Sequence, residues 1–129
     1  MRIKLLLLSL VLILSGCTKE PTVYEYHDFN QISNWDQVYG LEQGMFYLYI
    51  YSEYCIACDG IKQEVLTYFY ESQKEEDIPV YLVNYYLIDN EPPFEFTHTP
   101  TLVIMEGDTV LSIVDSPESI RTYISPPTP

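Results

Sequence analysis

Residues 46–58, FYLYIYSEYCIAC, constrain the fold more than any other part of the chain. From Phe46 to Tyr51 every residue is aromatic, β-branched or apolar. A short run without polar alternation suits a strand buried on both faces. The segment after it changes period. Ile61, Val65, Tyr68 and Phe69 follow i, i+4, i+7, i+8 spacing, with Lys62, Gln63 and Glu64 between them, which is one apolar face of a helix. A strand that needs cover on both sides, running directly into an amphipathic helix, requires an α/β domain with a central sheet.

The remaining elements fit that frame. Asn34 or Ser33 is placed to cap a short helix with Trp35, Val38 and Tyr39 on one face. Residues 72–77, SQKEED, read as a polar turn, and Pro79 introduces a second strand, VYLVNYY. Residues 87–99 are irregular, because Pro92 and Pro93 oppose a long helix. Thr101–Met105 and Thr109–Val114 flank a Glu-Gly-Asp turn and form a hairpin. Ser116-Pro117-Glu118 opens a last helix with Ile120, Tyr123 and Ile124 on one face.

The N-terminus belongs to targeting and not to the fold. Arg2 and Lys4 precede an apolar run, Leu5 to Leu14, too short to span a membrane comfortably. Leu14-Ser15-Gly16-Cys17 resembles the lipobox of bacterial lipoproteins. That resemblance implies a signal peptide over 1–16, a lipidated Cys17 and an extracytoplasmic domain anchored to the bacterial membrane. Two acyl chains, at about 0.8 kcal/mol per buried CH₂, anchor stably. Residues 17–31 then form the lipidated N-terminus and linker, 32–125 the domain and 126–129 a tail. Without residues 1–16 the chain keeps four basic against nineteen acidic residues, a net charge of −15 with histidine neutral. Such a surface repels nucleic acid and anionic lipid headgroups, so attachment rests on the lipid.

Of the three cysteines, Cys55 and Cys58 remain for chemistry, in a compartment where disulfides persist. Cys55 falls at the helix N-terminus, where free N–H groups and the positive end of the dipole stabilise a thiolate. Cys58 lies one turn further in, close enough to close a disulfide and more shielded. Cys55 is therefore the attacking sulfur and Cys58 the resolving one. Glu53 and Asp59 flank the pair and oppose the dipole.

Downstream, His98-Thr99-Pro100-Thr101 precedes the hairpin. With that turn, residues 34–125 resemble the thioredoxin superfamily. The resemblance implies a mixed sheet flanked by helices, a cis proline at Pro100 beside the cysteines, and Thr99 and Tyr54 shaping substrate docking. It implies no cofactor beyond the Cys55–Cys58 disulfide. Its partners are protein thiols or disulfides, with a membrane electron donor as a further partner. The departures are specific. Tyr54 stands for the usual tryptophan, and Ile56-Ala57 separates the cysteines in place of Gly-Pro. Tyr49 occupies the place of a buried acid, Asp59 follows the second cysteine, and the crossover helix before the proline turn is shortened or absent.

Three other readings stay open on the residues alone. A structural zinc site needs four ligands, and beyond one cysteine pair the chain offers His27 and His98. An inert disulfide across so short a loop removes little entropy from the unfolded chain. A non-catalytic binding or accessory module for export or assembly would use surface tyrosines such as Tyr24, Tyr26 and Tyr54, and His98 would be a plain loop residue instead of a group tuning the thiolate.

Overall fold

The structure, a computed structural model, describes residues 22–125. The expected signal peptide, Cys17 and the tail lie outside the described residues. The described residues form five strands: β1 (Asn30–Ile32), β2 (Met45–Tyr51), β3 (Val80–Asn84), β4 (Thr101–Glu106) and β5 (Thr109–Val114). Two α-helices, α1 (Ile56–Glu75) and α2 (Pro117–Ile124), accompany them, with 3-10 turns at Tyr26–Asp28 and Trp35–Val38. The sheet order is β1-β3-β2-β4-β5. β2 pairs parallel with β3 through the α1 crossover and antiparallel with β4, and β4 and β5 form the expected hairpin. Gly107 takes φ +56 in its turn, a conformation glycine adopts without strain.

The uninterrupted apolar run in β2 is explained by its two faces. Tyr47, Tyr49 and Tyr51 point into a cluster with Ile61, Val65, Leu66 and Phe69 of α1 and Ile120 and Ile124 of α2. Phe46, Leu48 and Ile50 point into a second cluster with Trp35, Val38, Val83, Val103 and Met105. Each fully buried side chain of this kind contributes about 1.5–3 kcal/mol of hydrophobic stabilisation. The centre of the sheet is therefore where the fold is held.

Both helices sit on the tyrosine face. The other face is covered by irregular chain, namely the Trp35–Val38 turn and the link of residues 85–100, which contains no helix. Aromatic packing replaces the helix there: Trp35 meets Phe94 at 5.5 Å and Phe96 at 6.0 Å between ring centroids. The Trp35 N–H donates to the Asp89 carbonyl (3.2 Å), and the Asp89 N–H donates to the Ser33 carbonyl (3.1 Å). The shortened crossover expected from Pro92 and Pro93 is thus stitched to the turn after β1.

Several local expectations change. Residues 30–31, read as linker, belong to β1, which pairs parallel with β3. Tyr26 and Phe29, ahead of it, are buried in the core. Tyr26, a surface contact only in the binding-module reading, stacks on Tyr51 with centroids 3.7 Å apart, and Tyr24 stacks on Tyr70 at 4.8 Å. Helix α1 continues to Glu75 through the supposed polar turn, with Ser72 buried and its hydroxyl donating to the Tyr68 carbonyl at 2.8 Å. The helix expected after Asn34 is a single 3-10 turn that leaves Tyr39 exposed, although Asn34 caps it by accepting from the Asp36 N–H (2.8 Å). β3 stops at Asn84, so Tyr85 and Tyr86 leave the sheet.

Candidate active site

The site forms where β2 ends. Ser52 is buried, and its hydroxyl accepts from the Tyr54 N–H (3.1 Å) while its carbonyl accepts from the Cys55 N–H (3.3 Å). This tight turn converts the strand into α1 and leaves Cys55 as the N-cap residue. The Cys55 sulfur accepts from the Cys58 N–H at 3.0 Å, so a sulfur does the work that a serine or aspartate oxygen does at ordinary caps. The Cys55 carbonyl accepts from the Asp59 N–H at 3.2 Å, the first bond of the helix.

The two cysteines are bonded to each other, with Cα atoms 5.2 Å apart. Their environments differ. Cys55 is half-buried and faces a cleft, whereas Cys58 is fully buried among the apolar residues of the helix face. Tyr49 lies in the same apolar cluster as Cys58. Its hydroxyl is buried without a hydrogen-bond partner among the described residues, as is that of Tyr26. Burial raises the pKa of both phenols above the ordinary tyrosine value and so opposes their ionisation, with Tyr26 pushed further by the Asp59 carboxylate. Tyr51 is pushed up to about 12, first by burial and then by Glu53. Both acids that flank the cysteines therefore act on this corner of the core.

The Thr99–Pro100 peptide is cis. Register places it here: Ile50 at the end of β2 pairs with Thr101 at the start of β4. The Thr99 carbonyl oxygen lies 3.5 Å from the Cys55 sulfur. Thr101 Oγ1 donates to the His98 carbonyl at 2.6 Å and holds the turn. His98 lines the cleft, and its Nδ1 lies 2.8 Å from Thr97 Oγ1 in an exposed position. Tyr54 and Thr99 line one cleft with Cys55, Cys58 is bonded to Cys55, and Pro100 follows Thr99 through the cis bond. Among the described residues, no three His, Cys, Asp or Glu side chains form a group that could hold a metal ion.

The cleft beside Cys55 has a volume of about 430 Å³. Its walls include residues that pattern reading did not single out: Tyr85, Tyr86 and Phe96. Tyr54, which is 80 % exposed, meets Tyr86 edge to face at 5.2 Å, and Tyr85 meets both Tyr86 (6.0 Å) and Phe96 (5.8 Å). The Tyr85-Tyr86 pair directly after a buried strand was the one available signal.

No protein-family model and no curated protein matches the chain. Solved structures do. Saccharomyces cerevisiae mitochondrial thioredoxin 3, in its oxidised form, is 16% identical, with a TM-score of 0.59 over 77% of this chain and 95% of that one. Spinach chloroplast thioredoxin f, in its short form, is 14% identical, with a TM-score of 0.54 over 82% and 96%. The structure of a complex between ferredoxin:thioredoxin reductase and thioredoxin f2 contains a chain 15% identical, with a TM-score of 0.54 over 74% and 88%. The chain has a thioredoxin-like fold.

Proposed function

We propose that this protein is a thiol–disulfide oxidoreductase working through Cys55 and Cys58. The observation that carries the reading is their asymmetry: Cys55 half-buried at a helix N-terminus and facing a cleft, Cys58 fully buried behind it. In the reduced protein the Cys55 thiolate attacks one sulfur of a substrate disulfide. A mixed disulfide forms and the other substrate sulfur leaves as a thiolate, which takes up a proton. Cys58 then loses its proton and attacks the Cys55 sulfur. The Cys55–Cys58 bond forms, and the second substrate thiolate departs. Two electrons pass from the cysteine pair to the substrate, and the reverse sequence oxidises a dithiol. The Cys58 N–H, which points at the Cys55 sulfur, stabilises negative charge there in the reduced form. Thr99, joined to the buried Pro100, forms the wall against which the substrate sulfur approaches, and Tyr54 forms its rim.

Protein thiols or disulfides are the proposed partners, and the structure of thioredoxin f2 in complex with ferredoxin:thioredoxin reductase supports a protein partner. A membrane electron donor fits a tethered domain. The disulfide is the only redox group this chemistry needs. The proposed location is outside the cytoplasm, on the bacterial membrane through lipid on Cys17, supported by the order Leu14-Ser15-Gly16-Cys17. Cys17→Ser should move the protein from the membrane to the soluble fraction; unchanged partitioning contradicts the anchor.

The chemistry is tested by trapping. Cys58→Ser should accumulate a mixed disulfide with a disulfide substrate through Cys55, and Cys55→Ser should accumulate none. Equal trapping by the two variants, or none by either, contradicts the assignment.

A further inference from the structure

We propose that the cleft beside Cys55 selects a cationic polypeptide segment, in which lysine or arginine flanks the reacting cysteine. This rests on the oxidoreductase reading of Cys55 and adds the class of substrate. Three observations converge on it.

The first is shape. The Cys55 cleft shares Pro92, Phe96 and Thr97 with an adjoining hollow of about 520 Å³. Together they form one groove leading away from the sulfur along the irregular link. Its course suits a stretch of chain passing the sulfur.

The second is charge. Glu91 and Glu95 line the far end of that groove. Glu53 and Asp59, which flank the cysteine pair in sequence, line a separate hollow of about 500 Å³ together with Glu25, His27 and Lys62. Lys62 is already committed, with its ammonium 2.6 Å from the Glu25 carboxylate and 4.7 Å from the Tyr26 ring centroid. Glu53, Asp59, Glu91 and Glu95 make no ion pair among the described residues. The other described cations lie elsewhere: Arg121 pairs with Glu64, and Lys74 sits over Tyr70. Among the described residues, His98 is the sole basic side chain lining the groove. A negatively charged groove flanked by low-dielectric walls concentrates cations and repels acidic segments.

The third is the wall itself. Tyr54, Tyr85 and Tyr86 are exposed and held edge to face. Exposed, mutually braced ring faces accept lysine stems and guanidinium planes through packing and cation–π contact. An apolar partner alone would leave the four carboxylates unanswered. A nucleic acid or an anionic membrane surface would be repelled by them.

The test uses two short synthetic peptides, identical except for lysine or glutamate on each side of a single cysteine that carries a thionitrobenzoate leaving group. The reduced protein is oxidised to the Cys55–Cys58 disulfide as it releases that group and the peptide thiol, so a single turnover gives a second-order rate constant for each peptide, and the cation-to-anion ratio of the two is internal to each protein variant. The ratio should be about tenfold at about 20 mM salt and fall below about threefold at about 0.5 M salt, as screening shortens the reach of the field. Glu91→Lys with Glu95→Lys should pull the ratio towards one or invert it. A ratio near one in the unaltered protein, a ratio insensitive to salt, or a ratio unmoved by the double charge reversal overturns the proposal. The uncharged hydroxyethyl disulfide separates the two readings. If it is not reduced, the oxidoreductase assignment fails on its own. Charge selection is then decided by anisotropy of the same peptides, cysteine replaced by serine, on the Cys55→Ser/Cys58→Ser protein. Tighter binding of the lysine peptide supports the selection, and equal binding overturns it.

Discussion

Tyr49→Phe should stabilise the protein, although it deletes a polar group from a fully packed position. Tyr49 is inaccessible to solvent in the helix-facing cluster, and its hydroxyl has no hydrogen-bond partner among the described residues. An unsatisfied buried hydroxyl costs about 1–3 kcal/mol, so its removal should recover about 1 kcal/mol after a small loss of packing. Tyr47, two residues earlier on the same face, provides the control. Its hydroxyl lies 3.1 Å from the Tyr68 hydroxyl and 3.2 Å from that of Tyr123. Tyr47→Phe breaks both contacts and should cost about 1 kcal/mol. Equilibrium urea denaturation of the oxidised proteins measures the difference, which corresponds to Tm shifts of about 4–8 °C per kcal/mol, in opposite directions. Tyr26→Phe, which removes the other unpartnered hydroxyl, should follow Tyr49→Phe. If Tyr49→Phe loses 1 kcal/mol or more, the hydroxyl is satisfied and this account of the core is refuted.

Alkaline pH should destabilise the fold. The ionisations of Tyr26, Tyr47, Tyr49 and Tyr51 are raised by burial above the ordinary value of 10.0. Below about pH 10 both states hold these protons; above it the unfolded chain releases them first, and each retained proton costs about 1.4 kcal/mol per pH unit. Urea midpoints should therefore be insensitive to these groups below about pH 9 and fall steeply above about pH 10, whereas a flat profile to pH 11 contradicts the burial. Glu53→Gln and Asp59→Asn should each raise the iodoacetamide reactivity of reduced Cys55, by about threefold at low ionic strength, because each removes a charge that opposes the thiolate. Unchanged alkylation rates would place neither carboxylate near the sulfur. Asn34→Ala should cost about 1 kcal/mol in thermal unfolding. It removes the oxygen that accepts from the Asp36 N–H and from Asn90 Nδ2 (3.1 Å). A neutral substitution would mean that the stitch between this turn and the link contributes nothing.

The parts of the site that are visible in sequence are those set by local pattern. A doubly buried strand, a cysteine pair at a helix start and a Thr-Pro turn before a hairpin each announce themselves within a few residues, and sheet register brings them together. The parts that are not visible depend on distant chain. β1 is three residues long with two of them exposed, so it has no pattern of its own and exists through its ladder to β3. Tyr26 reads as a surface aromatic because the ring it stacks on, Tyr51, is far away in sequence. The groove wall combines Tyr54, Tyr85, Tyr86 and Phe96 from three segments. Composition shows thirteen tyrosines, but that Tyr85 and Tyr86 face solvent is decided by where β3 ends.

The central claim is that Cys55 and Cys58 form a reversible two-electron couple that exchanges with substrate. A redox titration of this pair in a dithiothreitol or glutathione series tests it most directly, with thiol alkylation as the readout. The account predicts one reversible transition fitted by two electrons, abolished by replacing either cysteine with serine. A disulfide that does not re-form, or that no accessible ratio of reductant to oxidant opens, would contradict it.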